Sequence, residues 1–173
     1  SMSAVPPAST PASTPSAAPT TLTVVTHDSF NVSPELLASF EQSTGLKVTY
    51  VAPGDARATG LADGSVDVVH STSVLEHVPV DDLRAILREA RRVLAPDGVC
   101  VFVVDHHDHW ASADPSIGGL NFLRYPERRW RLWNCPMQYQ NRLRHDDYVG
   151  LFRETGFELL TEVAIADDAL VPP

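Results

Sequence analysis

The clearest pattern in the chain is an apolar run, a polar loop, a helical pattern and a second apolar run, in that order. Residues 65–70 carry the first run, residues 81–92 space their apolar side chains as a helix does, and residues 99–104 form the second run. This pattern predicts strand, loop, helix and strand. The apolar positions predicted to be buried along the helix are Leu83, Ile86, Leu87, Ala90 and Val93 or Leu94.

The loop of this unit is the candidate site. A strand, helix and strand in succession nearly always form a right-handed crossover between parallel strands. Open sheets of this kind place their ligands at the carboxyl ends of the strands. The candidate site is therefore residues 70–77.

A second unit of the same kind comes earlier in the chain. Residues 21–26 are rich in β-branched side chains and predict a strand. Ser33 and Pro34 offer an N-cap and a proline at the first helical position, so a helix begins there and ends at Gly45. Residues 47–51 are the next strand. The residues predicted to form the buried face of this helix are Leu36, Leu37 and Phe40.

The last part of the chain predicts an insertion, a helix and a strand. A basic and aromatic insertion follows residue 105, residues 146–156 form a helix, and residues 157–165 form a sixth strand. The helix has its apolar positions at Tyr148, Leu151 and Phe152.

Composition limits what the chain can be. The net charge of −9 argues against non-specific nucleic-acid binding, and no apolar run reaches the roughly 20 residues of a membrane span. Residues 1–20, rich in Ala, Pro, Ser and Thr, predict a disordered leader, which is either an ordinary tail or the tether of an exported lipoprotein. Residues 21–173 are enough for a single α/β domain. These features disfavour nucleic acid and a membrane span, so a small molecule is the expected ligand.

Residues 52–165 resemble the later half of the class I S-adenosylmethionine-dependent methyltransferases. Three motifs carry the resemblance: Asp67-Val-Val-His-Ser71 as the fourth strand, Val74-Leu-Glu-His77 as the loop over the cofactor, and Arg91-Arg-Val-Leu-Ala-Pro-Asp-Gly98 before the fifth strand. The resemblance implies a three-layer α/β sandwich. Its mostly parallel, Rossmann-like sheet would have about five or six strands and be incomplete relative to the family.

The same resemblance implies a set of residues for S-adenosylmethionine. Asp55 and Ala56 match the segment after the third strand, where the family's acid accepts from the adenine amino group. His70, Ser71 and Val74 match the wall after the fourth strand. These five are the candidate cofactor-binding residues.

Histidines supply the candidate chemistry. His77 is the candidate general base, since imidazole titrates near neutral pH; a hydrogen bond from its ring to nearby backbone is the alternative. In the run after Asp105, His107 and His109 can share a face with that acid while His106 faces away. The run lacks a distant further ligand, so it predicts a polar loop and no metal site.

The insertion implies an acceptor pocket. In the methyltransferase branch that the chain resembles, such an insertion lies over the active site. The candidate substrate-binding residues are His106, His107, Arg124 and Tyr125. Trp130 and Trp133 either stack on an acceptor or pack the insertion onto the sheet.

One motif of the family is missing. The turn at residues 27–31 carries bulky side chains where the family has a glycine-rich turn against the cofactor. The loss removes several hydrogen bonds of about 0.5 to 1.5 kcal/mol each. The sequence therefore predicts an inactive or very weak methyltransferase-like domain with millimolar or no affinity for S-adenosylmethionine.

Residues 20–56 resemble a different family, the thiamine-type periplasmic solute-binding proteins. The resemblance lies in residues 22–30 and in residues 40–48. It implies a chimera that joins a binding-protein unit, residues 21–56, to a methyltransferase-like half, residues 57–173. The alternative functions are then a solute-binding fragment or a folded chimera with no selected function, and the compartment is cytoplasmic or extracytoplasmic accordingly. A missing strand would expose a sheet edge and favour a homodimer.

Overall fold

Four parallel strands form one sheet, in the order β2-β1-β3-β4, within the part of the chain that the structure describes. The structure is a computed structural model that describes residues 20–26, 30–114 and 116–163, without the side chain of Met137. The strands are β1 (Thr21–Val25), β2 (Lys47–Val51), β3 (Val66–Thr72) and β4 (Leu94–Val103). The predicted leader lies outside the described residues, apart from its last one.

Five helices and three 3₁₀ turns accompany the sheet in the described ranges. The helices are α1 (Pro34–Thr44), α2 (Val80–Val93), α3 (Trp110–Ala113), α4 (Glu127–Trp133) and α5 (His145–Glu154). The 3₁₀ turns are Leu75–His77, Asn121–Arg124 and Pro136–Gln138. No helix among the described residues has the length and apolarity that a membrane crossing requires.

The strand order creates a switch point between β1 and β3. From β1 the chain crosses through α1 to β2, and from β3 it crosses through α2 to β4 in the opposite direction. Right-handed crossovers in opposite directions place α1 and α2 on opposite faces of the sheet. The parallel α/β fold predicted from the sequence is therefore confirmed, and its carboxyl edge opens between β1 and β3.

The pairing of β1 with β3 settles a question that the sequence leaves open, namely which early strand meets β3. Val24 pairs with Val68, and Val25 with Val69. Beyond this short ladder, the Asp67 carboxylate accepts a hydrogen bond from the Thr23 backbone N–H at 2.7 Å. The sheet consequently has no gap between its two halves.

The main core lies under α2 and α5. The buried members of this cluster are Leu75, Leu83, Leu87, Tyr148 and Leu151. Phe102 of β4 stacks on Phe152 of α5, with ring centroids 5.3 Å apart and planes 5° from parallel. The buried faces predicted for the two helices are confirmed at these positions.

The buried face predicted for α1 is wrong. The helix begins and ends as predicted, since the Ser33 side chain accepts from the Leu36 N–H and Gly45 adopts a left-handed conformation with φ 72°. However, α1 buries none of its residues, and Leu36 is 64% exposed and Phe40 40% exposed. The helix lies against the edge strand β2, and no described element covers its outer side.

The sixth strand predicted at residues 157–165 is also wrong in its described part. Residues 157–163 form no strand, and Leu160 and Val163 are 74% and 78% exposed. An apolar segment forms a strand only where a neighbour offers a hydrogen-bond ladder, and none is present beside this segment among the described residues. Residues 164 and 165 lie outside the description. A homodimer through an exposed edge, at β2 or β4, stays a prediction.

A charged network fastens the loop before β3 to α2. Glu89 accepts from the Thr59 N–H at 2.8 Å and from the Thr59 hydroxyl at 2.6 Å. Arg92 donates to the same carboxylate through Nε at 2.8 Å and through Nη2 at 2.7 Å. The hydrogen bond from Arg92, followed by that from Thr59, lowers the pKa of Glu89 to about 2.

We expect Glu89→Gln to lower the free energy of unfolding by about 1 to 2 kcal/mol at pH 7. Because the pKa of Glu89 falls from its ordinary value of 4.5 to about 2 on folding, this contribution is complete above about pH 4.5 and is lost as the pH falls toward 2. Urea unfolding at pH 7 and pH 3 measures both effects. Glu154→Gln, which removes a half-exposed partner of Arg84, is the control and should change little. Equal losses for both variants at pH 7 would refute the proposed importance of the network.

Candidate functional site

Doubly wound sheets bind ligands in a crevice at the point where the strand order reverses, here between β1 and β3. We call this position, with its residues Thr26, Phe30, Tyr50 and His70, the switch-point crevice. The register of Val25 with Val69 places Thr26 beside His70 on the neighbouring strand. The Phe30 ring lies 5.1 Å from the His70 ring and 5.6 Å from the Tyr50 ring, between centroids. The crevice therefore combines aromatic surface with two polar side chains.

Two polar atoms of the switch-point crevice lack partners. Thr26 Oγ1 and His70 Nδ1 are buried and have no hydrogen bond to any described residue. The other ring nitrogen of His70, Nε2, lies 3.2 Å from the Thr72 hydroxyl. A buried polar group without a partner costs about 1 to 3 kcal/mol. A ligand with polar groups in this crevice would offset that cost.

The loop that leaves β3 is held in an unusual conformation. Ser73 has φ 52°, a value uncommon for a residue with a side chain, and its N–H donates to the Val103 carbonyl at 2.9 Å. The bond ties the loop to the end of β4. Ser71 and Val74, both predicted to bind cofactor, are half-buried on either side of Ser73.

Asp55 and Ala56 lie on an exposed loop after β2. In the sequence they precede the other predicted cofactor residues, which are in β3 and the loop that follows it. The side chain of Arg57 donates to Asp55 from Nε at 3.1 Å and from Nη2 at 3.0 Å, and its backbone N–H does so at 2.9 Å. The side-chain hydrogen bonds and then the backbone bond from Arg57 lower the pKa of Asp55. A carboxylate has about four acceptor positions, so Asp55 keeps one for a ligand.

The turn Leu75–His77 brings a buried acid next to two histidines. Glu76 is 1% exposed, and neither carboxylate oxygen has a partner among the described residues. Burial raises the pKa of Glu76. The ligand atoms of Glu76, His77 and His109 all lie within 4.8 Å of one another, and the two imidazole rings are 4.8 Å apart. Sequence spacing gives no sign of this group, because His109 is far from the other two in the chain.

Both of these histidines are oriented by a second contact. His77 Nδ1 lies 2.8 Å from the Tyr139 carbonyl oxygen, which can only accept, so this nitrogen carries the proton and Nε2 keeps a lone pair. His109 Nε2 lies 3.4 Å from Asp105 Oδ2. The backbone contact foreseen as the alternative for His77 is therefore present, and it leaves the second ring nitrogen available as a base or a ligand.

The histidine run after β4 divides between two sides, as its alternation predicts. His107 Nδ1 lies 2.7 Å from Asp105 Oδ1, so His107 and His109 both contact that acid. Although burial raises the pKa of Asp105, the His107 backbone N–H and the two histidines outweigh it, and the pKa is lowered. His106 instead faces Tyr148, 5.5 Å between centroids, and burial followed by the charge of Arg144 lowers its pKa.

The insertion forms a half-open aromatic cavity of about 260 Å³. Tyr125, predicted to bind substrate, lines this cavity, whereas Arg124 is exposed at the end of its 3₁₀ turn. Sequence reasoning missed Asp108, which is 1% exposed in the wall and accepts from the Trp110 N–H at 3.0 Å. The residues that line the cavity are Asp108, Trp110, Ile117, Asn121, Tyr125, Trp130 and Trp133.

Asn141 clamps the turn Leu75–His77, and no sequence pattern pointed to it. Its side-chain amide donates to the carbonyls of Leu75 at 2.8 Å and Val78 at 2.9 Å. Its side-chain oxygen accepts from the Tyr148 hydroxyl at 3.0 Å, and its backbone N–H donates to the Glu76 carbonyl at 2.7 Å. The position of Glu76 and His77 thus depends on Asn141.

Comparison with known proteins matches residues 15–102, just over half of the 173 residues, to the family described as "Methyltransferase domain". The chain is 28% identical over 132 residues to the protein named "Uncharacterized methyltransferase YcgJ" of Bacillus subtilis (strain 168). That alignment covers 62% of this chain and 50% of the relative. The chain therefore spans about half the length of the curated relative it matches.

Two solved structures are similar in shape. A SAM dependent methyltransferase from Archaeoglobus fulgidus gives a TM-score of 0.46 at 14% identity and covers 88% of this chain and 72% of that one. The YcgJ protein from Bacillus subtilis gives 0.40 at 18% identity and covers 79% and 60%. The family match runs through residues 21–56, which resemble a solute-binding protein by sequence, and none of these matches supports that resemblance or the chimera.

Proposed function

The chain belongs to the methyltransferase domain family, and from this premise we propose that it binds S-adenosylmethionine in the switch-point crevice. The observation that carries the proposal is the pair of buried, unpartnered atoms Thr26 Oγ1 and His70 Nδ1 at the carboxyl ends of adjacent strands. Doubly wound sheets bind their ligands at this position. A cofactor with hydroxyl, amino and carboxylate groups offers the hydrogen bonds that these atoms lack.

The types of side chain that we assign to the cofactor are chemically suited to it. Phe30 and Tyr50 supply flat apolar surface for a base. Asp55, on the exposed loop after β2, has one acceptor position free, and in this proposal it accepts from the amino group of the base. Ser71 and Val74 form the wall beyond His70. When bound, the cofactor would supply a methyl group on a sulfonium, ready for transfer to a nucleophile.

The affinity is expected to be low. The segment between β1 and α1 contains no glycine, so the backbone cannot approach a cofactor as closely as a glycine-rich turn does. Binding then rests on a few side chains, each worth about 0.5 to 1.5 kcal/mol. We place the domain among weak or inactive methyltransferases with millimolar affinity for the cofactor.

The acceptor side of the proposed reaction lies beyond β4, under the insertion. In this proposal His77 removes a proton from a small-molecule acceptor through Nε2, because Nδ1 is held by the Tyr139 carbonyl. His107 contacts Asp105 on one side of the histidine run and His106 packs on Tyr148 on the other, while Tyr125 belongs to the aromatic cavity and Arg124 is exposed nearby in the chain. These four residues would set which acceptor is taken.

Calorimetric titration with S-adenosylmethionine and S-adenosylhomocysteine tests the proposal. We expect saturable binding in the millimolar range that Asp55→Ala weakens severalfold and His70→Ala weakens at least as much. Asp114→Ala is the matched control, since Asp114 also accepts from a neighbouring N–H and side chain, those of Ser116, but lies outside the crevice. Absence of heat from a folded chain, or equal weakening by the control, would reject the proposal.

A further inference from the structure

We propose that Glu76, His77 and His109 bind a divalent transition-metal ion. Their three ligand atoms lie within 4.8 Å of one another, and neither carboxylate oxygen of Glu76 has a hydrogen-bond partner among the described residues. Two imidazoles and one carboxylate are a ligand set that zinc, nickel, cobalt and ferrous iron accept. This site goes beyond the proposed cofactor binding and does not depend on it.

Glu76 is the observation that favours an ion over a polar loop. The side chain is 1% exposed, and both of its oxygens lack partners among the described residues, although two histidines are close by. A carboxylate taken out of water without a partner is destabilising, and buried charges are ordinarily paired or coordinate metals. In the same loop, Asp105 and His107 lie within hydrogen-bond distance of each other, at 2.7 Å. Glu76, in contrast, forms no hydrogen bond with His77 or His109.

The second contact of His77 matches that of a metal ligand, and an acid lies close to His109. A ligating histidine usually donates its other ring N–H to a backbone carbonyl or a carboxylate, which fixes the tautomer and the ring. His77 does so with the Tyr139 carbonyl at 2.8 Å. His109 has Asp105 Oδ2 at 3.4 Å from its Nε2, which leaves Nδ1 for an ion. The His77 ring is therefore oriented before any ion binds, and Asp105 lies within 3.4 Å of the His109 ring.

Three protein ligands leave a coordination position open, as in catalytic rather than structural zinc sites. The turn Leu75–His77 provides two of them and is clamped by Asn141, while the segment before α3 provides the third. The ion would thus join the end of β3 to the insertion. An ion on His77 Nε2 leaves that ring no lone pair to take a proton, so metal binding and the general-base role exclude each other.

The test is titration of the full chain, without a histidine tag, with Zn²⁺ by calorimetry and with Co²⁺ by visible absorption. We expect one ion per chain. Asp105→Asn should weaken binding about 10- to 100-fold, the usual effect of losing an orienting partner. Glu76→Gln and His109→Ala should weaken it more, whereas His145→Ala, outside the group, should leave it unchanged.

Thermal unfolding separates metal binding from a structural effect of the substitution. Without metal, Glu76→Gln should unfold at the wild-type temperature or above, because it removes an unpartnered acid. Added Zn²⁺ should raise the unfolding temperature of the wild type and not that of the variant. The proposal is wrong if the folded wild-type chain takes up no Zn²⁺ saturably, or if either Glu76→Gln or His109→Ala binds it as tightly as the wild type.

Discussion

Replacing Asn141 with alanine is expected to lower the free energy of unfolding by about 3 kcal/mol. The substitution leaves the carbonyls of Leu75 and Val78 and the hydroxyl of Tyr148 without partners in a buried region, at about 1 to 3 kcal/mol each before water replaces some of the bonds. Urea unfolding followed by the fluorescence of Trp130, which is 4% exposed, gives the value.

Tyr148→Phe is the control for this result. It removes one of the three bonds and keeps the ring against the main core, so we expect a loss of about 1 kcal/mol. If the two substitutions cost the same, Asn141 would not be the residue that holds the turn Leu75–His77 in place.

Replacing Gly98 with alanine is expected to cost about 2 kcal/mol, within the usual range for overpacking. The register of β3 with β4 shifts between Val66 and Val68, and Gly98 lies at this irregularity. A Cβ there would be 2.9 Å from the Asp67 carbonyl oxygen and 2.8 Å from Leu94 Cδ1. The backbone atom cannot move aside without disturbing the β3–β4 ladder.

Gly54→Ala is the matched control, because a Cβ at that position meets no atom within 4 Å. Its effect should be within about 0.5 kcal/mol of zero. A small loss for Gly98→Ala, comparable with the control, would mean that the strand pair is more adaptable than its geometry indicates.

Local chemistry explains why parts of the fold follow from the sequence. Ser33 and Gly45 bound α1 through contacts within a few residues of each helix end, so both bounds were predictable. The helical spacing of Leu83 and Leu87 likewise identified the buried side of α2. In each case the determining neighbours are close in the chain.

Other parts depend on partners that a sequence pattern does not reveal. Spacing shows that Leu36 and Phe40 share one side of α1, but not whether any element covers that side. The segment after α5 similarly required a neighbouring strand, and its described part has none. Periodicity predicts which face is apolar, and tertiary structure decides whether it is buried.

The candidate site could be predicted from the sequence only in part, because it also depends on contacts between distant parts of the chain. The crossover pattern predicts that His70 lies near the carboxyl end of β3 and that His77 follows this strand. By sequence, Glu76 is most simply an acid favoured by the start of the following helix, whereas in the fold it is buried beside His109. Asn141 reaches the same turn from more than 60 residues away. Such long-range contacts leave no spacing signal.

The location of the cofactor is best tested by two-dimensional ¹H–¹⁵N spectra of the chain during a titration with S-adenosylhomocysteine. We predict chemical-shift changes concentrated on the amides of Thr26 and of residues 70–74, with smaller changes at Asp55. Changes centred on the aromatic cavity around Trp110 and Trp133, or unchanged spectra at millimolar ligand, would contradict the proposal that the chain binds S-adenosylmethionine in the switch-point crevice.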